Sequence, residues 1–188
     1  LKLEVCSPGE LSICESLGID PQAIVYSGVC KREDDVREAL AYGVGVFTAE
    51  SRLQFELVER CAMEAGKVVP VLLRLNGGSQ FGMSLEDLTS IVDERQNFPA
   101  TELVGIHYFV GTQRRKLKHQ ARELQRLEDL LDELERGHGW RPRRLEYGPG
   151  LAVPLFEGED FQDTLAPAHQ IAQDLRRVAG KVELTVEM

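Results

Sequence analysis

Apolar, β-prone runs alternate with helix-patterned stretches along the whole chain. The runs fall at Leu1 to Cys6, Ile24 to Ser27, Val44 to Ala49, Val68 to Leu75, Leu103 to Val110, Arg144 to Tyr147 and Val182 to Glu187. Most are nearly continuous in hydrophobicity, which is the pattern of parallel strands covered on both faces. Strand and helix in alternation predict a parallel α/β architecture. Pattern alone leaves two forms open, a closed barrel and an open doubly wound sheet. A barrel short of one strand is the economical reading, with the missing first strand expected before Leu1.

The helices carry start signals. Ser7-Pro8-Gly9-Glu10 is a capping box with proline at the first helical position. Ser51-Arg52-Leu53-Gln54 is a second box, and Ser84 precedes Glu86 and Asp87, which favour the positive end of a helix dipole. The longest helix is predicted from about Arg115 to Arg136. Leu117, Ala121, Leu124, Leu127, Leu131 and Leu134 form its core-facing stripe, Arg122, Glu123, Arg126, Glu128 and Asp129 face mainly water, and Gly137 ends it.

Composition narrows the picture modestly. The chain has 188 residues, 43% hydrophobic and 28% charged, as in an ordinary globular domain. A net charge of -9 argues against a nucleic-acid partner, whose footprint would be basic. No apolar run is long enough to span a bilayer, so no membrane partner is expected. Cys6, Cys14, Cys30 and Cys61 show no metal-ligand spacing and read as reduced, packed thiols in a cytoplasmic protein. No metal is expected. The absence of a starting Met and the strand-like character of both ends suggest a piece of a longer protein.

In a parallel barrel, chemistry collects where strands end. Those positions here are small, polar and glycine-rich. Gly148-Pro149-Gly150 brings backbone close to a ligand or makes a tight turn, and Pro149 removes one N–H donor. Thr112 either bonds a phosphate or caps the next helix. His107 is either a packed strand histidine or a functional one. Arg74, inside an apolar run, needs an anionic partner: a ligand, or Glu4 or Glu50 in a structural salt bridge. Glu187 either pairs with a cationic ligand atom or lies on the surface.

Read in order, these segments resemble the barrel of the fold-type III pyridoxal-phosphate decarboxylases, the ornithine, diaminopimelate and arginine decarboxylase family. The resemblance runs through Val5-Cys6-Ser7-Pro8-Gly9-Glu10-Leu11, Ile24 to Lys31, Ala49-Glu50-Ser51, Leu73-Arg74-Leu75-Asn76 with Phe81-Gly82-Met83, Gly105 to Gln113, Gly148 to Leu151, and Glu187-Met188. It implies a (β/α)8 TIM-like barrel of the alanine racemase/decarboxylase type. Residues 1–188 would form an incomplete barrel domain, strands 2–8, and a β-rich second domain would lie elsewhere.

The resemblance also implies roles. Pyridoxal 5'-phosphate is the expected cofactor. The carboxylate at Glu187 pairs with the pyridine nitrogen, so the ring can accept the electrons left when CO2 departs. Gly148, Gly150 and Thr112 hold the phosphate, while Arg74, Glu4, His107 and Phe109 lie near the cofactor. No catalytic residue is assigned within the chain, because the family's Schiff-base lysine would fall upstream of Leu1. The implied activity is decarboxylation of an amino acid by a homodimeric lyase.

Several positions depart from the family. Phe109 stands where a histidine stacks on the pyridine ring, and a phenyl ring stacks without carrying charge. Pro149 replaces a loop glycine, Leu151 a phenylalanine and Met188 a proline. Two other readings stay open: an alanine-racemase-like enzyme or pyridoxal-phosphate-binding protein, and a non-catalytic homologue acting as a binding protein. An arginine meets the pyridine nitrogen in the racemases, so Glu187 argues against the first of these.

Overall fold

The computed structural model describes residues 2–154, 156 and 166–187. Leu1, the start of the first predicted run, and Met188 lie outside the described residues. Two compact units meet in sequence between His107 and Tyr108.

The first unit holds β1 (Leu3–Val5), α1 (Pro8–Ser16), β2 (Ile24–Tyr26), α2 (Glu33–Tyr42), β3 (Val46–Ala49), α3 (Arg52–Glu64), β4 (Val69–Arg74), α4 (Leu85–Asp93) and most of β5 (Thr101–Phe109). These strands pair in parallel in their chain order, with Val5 opposite Tyr26, Ala49 opposite Leu73, and Arg74 opposite His107. The central strands are buried on both faces, as their continuous apolar runs predict. Ile24, Phe47, Leu72 and Ile106 are inaccessible to solvent, as are Phe55 and Val58 of α3 and Leu88 and Ile91 of α4. Burying each such side chain contributes about 1.5–3 kcal/mol.

The helix starts follow the predicted signals. Ser7 Oγ accepts from Glu10 N–H at 3.3 Å, Ser51 Oγ from Gln54 N–H at 3.2 Å, and Ser84 Oγ from Asp87 N–H at 3.0 Å. The return contact of the second box reaches one residue further back than a standard box. Gln54 Oε1 accepts from Glu50 N–H at 2.9 Å.

Lys31 carries an unusual burden in this unit. It is buried, and its Nζ donates to the carbonyls of Gly28 at 2.6 Å and Thr48 at 2.8 Å. It also lies 5.5 Å from the centre of the Tyr26 ring. Burial pulls its pKa down to about 8, against the opposing pull of the Glu50 charge.

The second unit holds α5 (Lys118–His138), β6 (Arg144–Gly148), α6 (Ala166–Ala179) and β7 (Glu183–Val186). β6 and β7 pair in parallel, with Tyr147 opposite Val186. Leu124, Leu127, Leu131 and Leu134 of α5 are buried as the stripe predicts. Three expectations for this helix are corrected. It starts at Lys118, because residues 111–115 are drawn into the turn described below. Gly137 lies inside it, and Gly139 ends it in the left-handed conformation, with Trp140 N–H bonded to Leu134 O at 3.2 Å. Glu123 and Glu128 are buried, not water-facing, because cations from other segments meet them. Glu123 takes the guanidinium of Arg114, and Glu128 takes Arg177 and Lys181.

Exchanging the two glycines tests the corrected helix end. Gly137→Ala should stabilise by about 0.5 kcal/mol through helix propensity, and Gly139→Ala should cost about 1 kcal/mol through its left-handed backbone. Denaturant midpoints of the two variants should move in opposite directions.

The depressed pKa of Lys31 predicts a pH dependence. Between pH 8 and about 10.4 the unfolded chain keeps a proton on this amine that the folded chain has lost, so stability rises with pH across that window. The full rise amounts to roughly 3 kcal/mol. Unfolding free energies from pH 7 to 10.5 should show this rise relative to Lys31→Met; parallel curves would contradict it.

Candidate functional site

In the first unit, Ser27, Arg74 and His107 are buried polar residues that stand at or near strand ends. Arg74 closes β4 and is almost fully buried, and its guanidinium pairs with the carboxylate of Glu50, just past β3. That resolves the choice between Glu4 and Glu50 as its ion-pair partner. The Phe81 ring lies 5.4 Å from the Arg74 guanidinium carbon.

His107 is buried in β5, with Nε2 3.6 Å from Glu4 Oε1. Burial acts to raise the Glu4 carboxyl pKa. The nearby polar side chains of His107 and Ser27 and the charges of His107 and Arg74 outweigh it and hold Glu4 below its ordinary range. Glu4 therefore stays ionised at neutral pH. Nearby Cys6 is the reverse case. Burial, then Glu4 and Glu10, push its thiol pKa up, away from nucleophile chemistry. The first unit thus brings Glu4 and His107 together, while Arg74 is held by Glu50 and reaches Glu4 through its charge.

The second unit gathers Phe109, Gly148, Gly150 and Glu187. Gly148 ends β6, and Glu187 follows β7, its N–H bonded to Tyr147 O at 3.0 Å. A Cβ on residue 148 would stand 2.3 Å from Phe109 Cδ2 and 2.7 Å from Glu187 Oε2. Only glycine lets the phenyl ring and the carboxylate close in on that strand end.

Gly150 is more constrained still. It has φ +60, and a Cβ there would lie 1.7 Å from the Gly111 carbonyl oxygen. Two loops are therefore in backbone contact, 110–115 and 148–153. Arg114 N–H donates to Gly150 O at 2.8 Å, and Val153 N–H donates to Gln113 Oε1 at 3.2 Å. Gln113 itself adopts a positive φ of 55°. Thr112 sits exposed within the first of these loops.

Residues without a predicted role support this turn. The Arg114 guanidinium grips both carboxylate oxygens of Glu123, with Nη1 to Oε2 at 2.9 Å. Tyr147 OH donates to the same Glu123 oxygen at 3.0 Å, and Gln120 Nε2 donates to Pro149 O at 3.0 Å. Burial, then the Glu123 charge, push the Tyr147 phenol pKa well above its usual range, so it stays protonated. A usable signal did exist in the sequence. Gln120 and Glu123 lie three residues apart on α5, with Leu124 and Leu127 of the buried stripe beside them. Lys31 gave no comparable signal beyond its place in the matched segment.

As a chemical set, the second unit offers an aromatic face, a carboxylate and a glycine turn with backbone N–H groups. That set suits a flat, positively charged heteroaromatic ring bearing an anionic group.

Comparison with known proteins gives this arrangement a family. The family described as pyridoxal-dependent decarboxylase, pyridoxal binding domain, matches residues 1–188. A diaminopimelate decarboxylase of Pseudomonas aeruginosa is 32% identical over 165 residues, 80% of this chain and 40% of that protein. The structure of lysine decarboxylase from Selenomonas ruminantium matches with a TM-score of 0.83 at 23% identity, covering 99% of this chain and 48% of that one. SrLDC in complex with PLP and cadaverine matches with a TM-score of 0.85 at 24% identity, covering 99% and 47%. The chain thus spans less than half the length of these relatives. The α/β barrel class that the family resemblance implies is the fold of these neighbours. The chain belongs to the pyridoxal-dependent decarboxylases, as a member of their pyridoxal binding domain family.

Proposed function

We propose that this chain is the cofactor-binding part of a pyridoxal-phosphate-dependent amino-acid decarboxylase, a carbon–carbon lyase. Its proposed substrate is a basic or diamino acid of the diaminopimelate, ornithine or arginine kind. The observation that carries this reading is the closure of Phe109 and Glu187 on Gly148, beside the turn at Gly150. Each part of the cofactor finds a matching group in this set: a ring face, a counter-charge for a protonated nitrogen, and N–H donors for a phosphate.

When bound, pyridoxal phosphate supplies the electron sink for the pair released as CO2 leaves. The chain's own residues would do the rest. Glu187 would hold a proton at the pyridine nitrogen. Phe109 would pack on the ring as an apolar plate and leave its electronics to the carboxylate. Backbone N–H groups of the 148–151 turn would bind the phosphate, with the hydroxyl of the exposed Thr112 as a further donor. Glu4, Arg74 and His107 are proposed as cofactor-side residues from their places at strand ends and from the resemblance.

The same reading includes a homodimer, with a Schiff-base lysine and a β-rich second domain outside these residues. It also includes a cytoplasmic location. The four free cysteines support a reducing compartment, and no described helix is long and apolar enough to cross a membrane.

The direct test is CO2 release by the purified full-length protein, given the cofactor and each of diaminopimelate, ornithine, arginine and lysine in turn. At least one should be consumed with release of its amine. Alanine racemisation without CO2 would point to the racemase-like reading, and failure to take up cofactor to a non-catalytic binding protein.

Glu187→Gln should lower turnover roughly 100-fold or more, the scale for losing a fixed charge that stabilises a reacting centre. The cofactor should remain bound and visible in the absorbance spectrum. Unchanged turnover would count against the assigned role.

A further inference from the structure

The second unit invests charge in a hydrogen-bonded network beside the 148–151 turn. Arg114 and Glu123 form a two-pronged pair, and Tyr147 adds a third hydrogen bond to the carboxylate. Glu123 and Tyr147 are buried, and Gln120 is wholly inaccessible. These contacts meet at two backbone carbonyls. Pro149 O accepts from Gln120 Nε2 at 3.0 Å and from Arg114 Nη1 at 3.3 Å, and Gly150 O accepts from Arg114 N–H at 2.8 Å.

Carbonyl direction fixes N–H direction. In a planar trans peptide, the C=O of one residue and the N–H of the next point opposite ways. Tying Pro149 O and Gly150 O to Gln120 and Arg114 therefore turns the N–H groups of Gly150 and Leu151 to the other side of the loop. Proline at 149 has no N–H of its own, so the turn depends on those neighbours for donors. Gln120 is devoted to this contact. Its amide oxygen meets no donor among the described residues, while its amide nitrogen holds Pro149 O.

We propose that Gln120, Arg114, Glu123 and Tyr147 form a positioning network that aims the Gly150 and Leu151 N–H groups at the phosphate of pyridoxal phosphate, offsetting the donor that Pro149 lacks. The proposal rests on the reading that the 148–151 turn holds that phosphate. None of the four side chains need touch the cofactor. They act through the direction of two peptide groups.

The network therefore governs affinity for the phosphate, not for the ring. The test is equilibrium binding of pyridoxal phosphate, and separately of unphosphorylated pyridoxal, to the full-length protein stripped of cofactor. Gln120→Met keeps the side-chain bulk and removes the donor to Pro149 O. It should weaken pyridoxal phosphate binding roughly 3- to 10-fold, the scale of one hydrogen bond, and leave pyridoxal binding unchanged. Tyr147→Phe keeps the ring and deletes only the hydroxyl. It should shift the same ratio in the same direction by a smaller factor, and it carries the test should Gln120→Met fail to fold. Equal loss for both ligands would assign the residues a packing role and overturn the proposal. So would a ratio that neither variant changes, where the wild-type protein prefers the phosphorylated form. A wild-type protein with no preference for that form would remove the phosphate-turn reading itself, and the network with it.

Discussion

A strand covered on both faces leaves a polar side chain one inexpensive exit, its end. In the first unit, β2, β3 and most of β4 are buried throughout, and burying an unpaired polar group there costs several kcal/mol. Arg74, His107 and Ser27 accordingly stand at or near strand ends, where they meet partners from other strands. Arg74 meets Glu50, and His107 and Ser27 meet Glu4. Parallel pairing brings those ends to the same side, so the constraint that excludes polarity from the strands also concentrates it in one place. The second unit obeys the same rule with different means. Gly148 and Gly150 surrender their side chains, and the space goes to Phe109, Glu187 and the carbonyl of Gly111.

What could be read from the sequence followed this constraint closely. Each predicted apolar run carries a strand, and Ser7, Ser51 and Ser84 cap the helices they precede, because run length, β-propensity and cap chemistry are local properties. The misplacements were not local. Glu123 and Glu128 carry charges that helical periodicity assigns to water. Only Arg114, Arg177 and Lys181, brought in from other segments, make their burial tolerable. Arg74 could be recognised as needing an anion, but the choice between Glu4 and Glu50 needed the register of β3 against β4. Gly137 and Gly139 are equally plausible helix ends on paper. The left-handed backbone chooses the second.

The departures from the family pattern sharpen the electrostatics of the proposed site. Phe109 against Gly148 presents a ring that neither donates a hydrogen bond nor carries charge, so Glu187 faces no competing ionisable group from that position. Charge is instead held in fixed pairs. Glu4 is kept ionised by His107, Ser27 and Arg74, and the Tyr147 phenol is kept neutral by its burial and by Glu123. Neither shift alters the charge that a glutamate or a tyrosine carries near neutral pH; each widens the pH range over which that charge is kept.

Buried pairs are poor sources of stability, since an apolar pair of similar volume often folds as well or better. Arg114 and Glu123 are better understood by what an apolar pair could not do. Leucines in their places would fill the same space beneath the 148–150 turn and leave the Pro149 carbonyl to Gln120 alone. With them, Pro149 O gains a second donor, and the Glu123 carboxylate anchors the residue whose backbone N–H holds Gly150 O. Two carbonyls held from one side leave the turn a single orientation. A proline-containing turn with fewer N–H groups to offer has more to gain from that restriction than an all-glycine turn, which could adapt its backbone around an anion as it arrived.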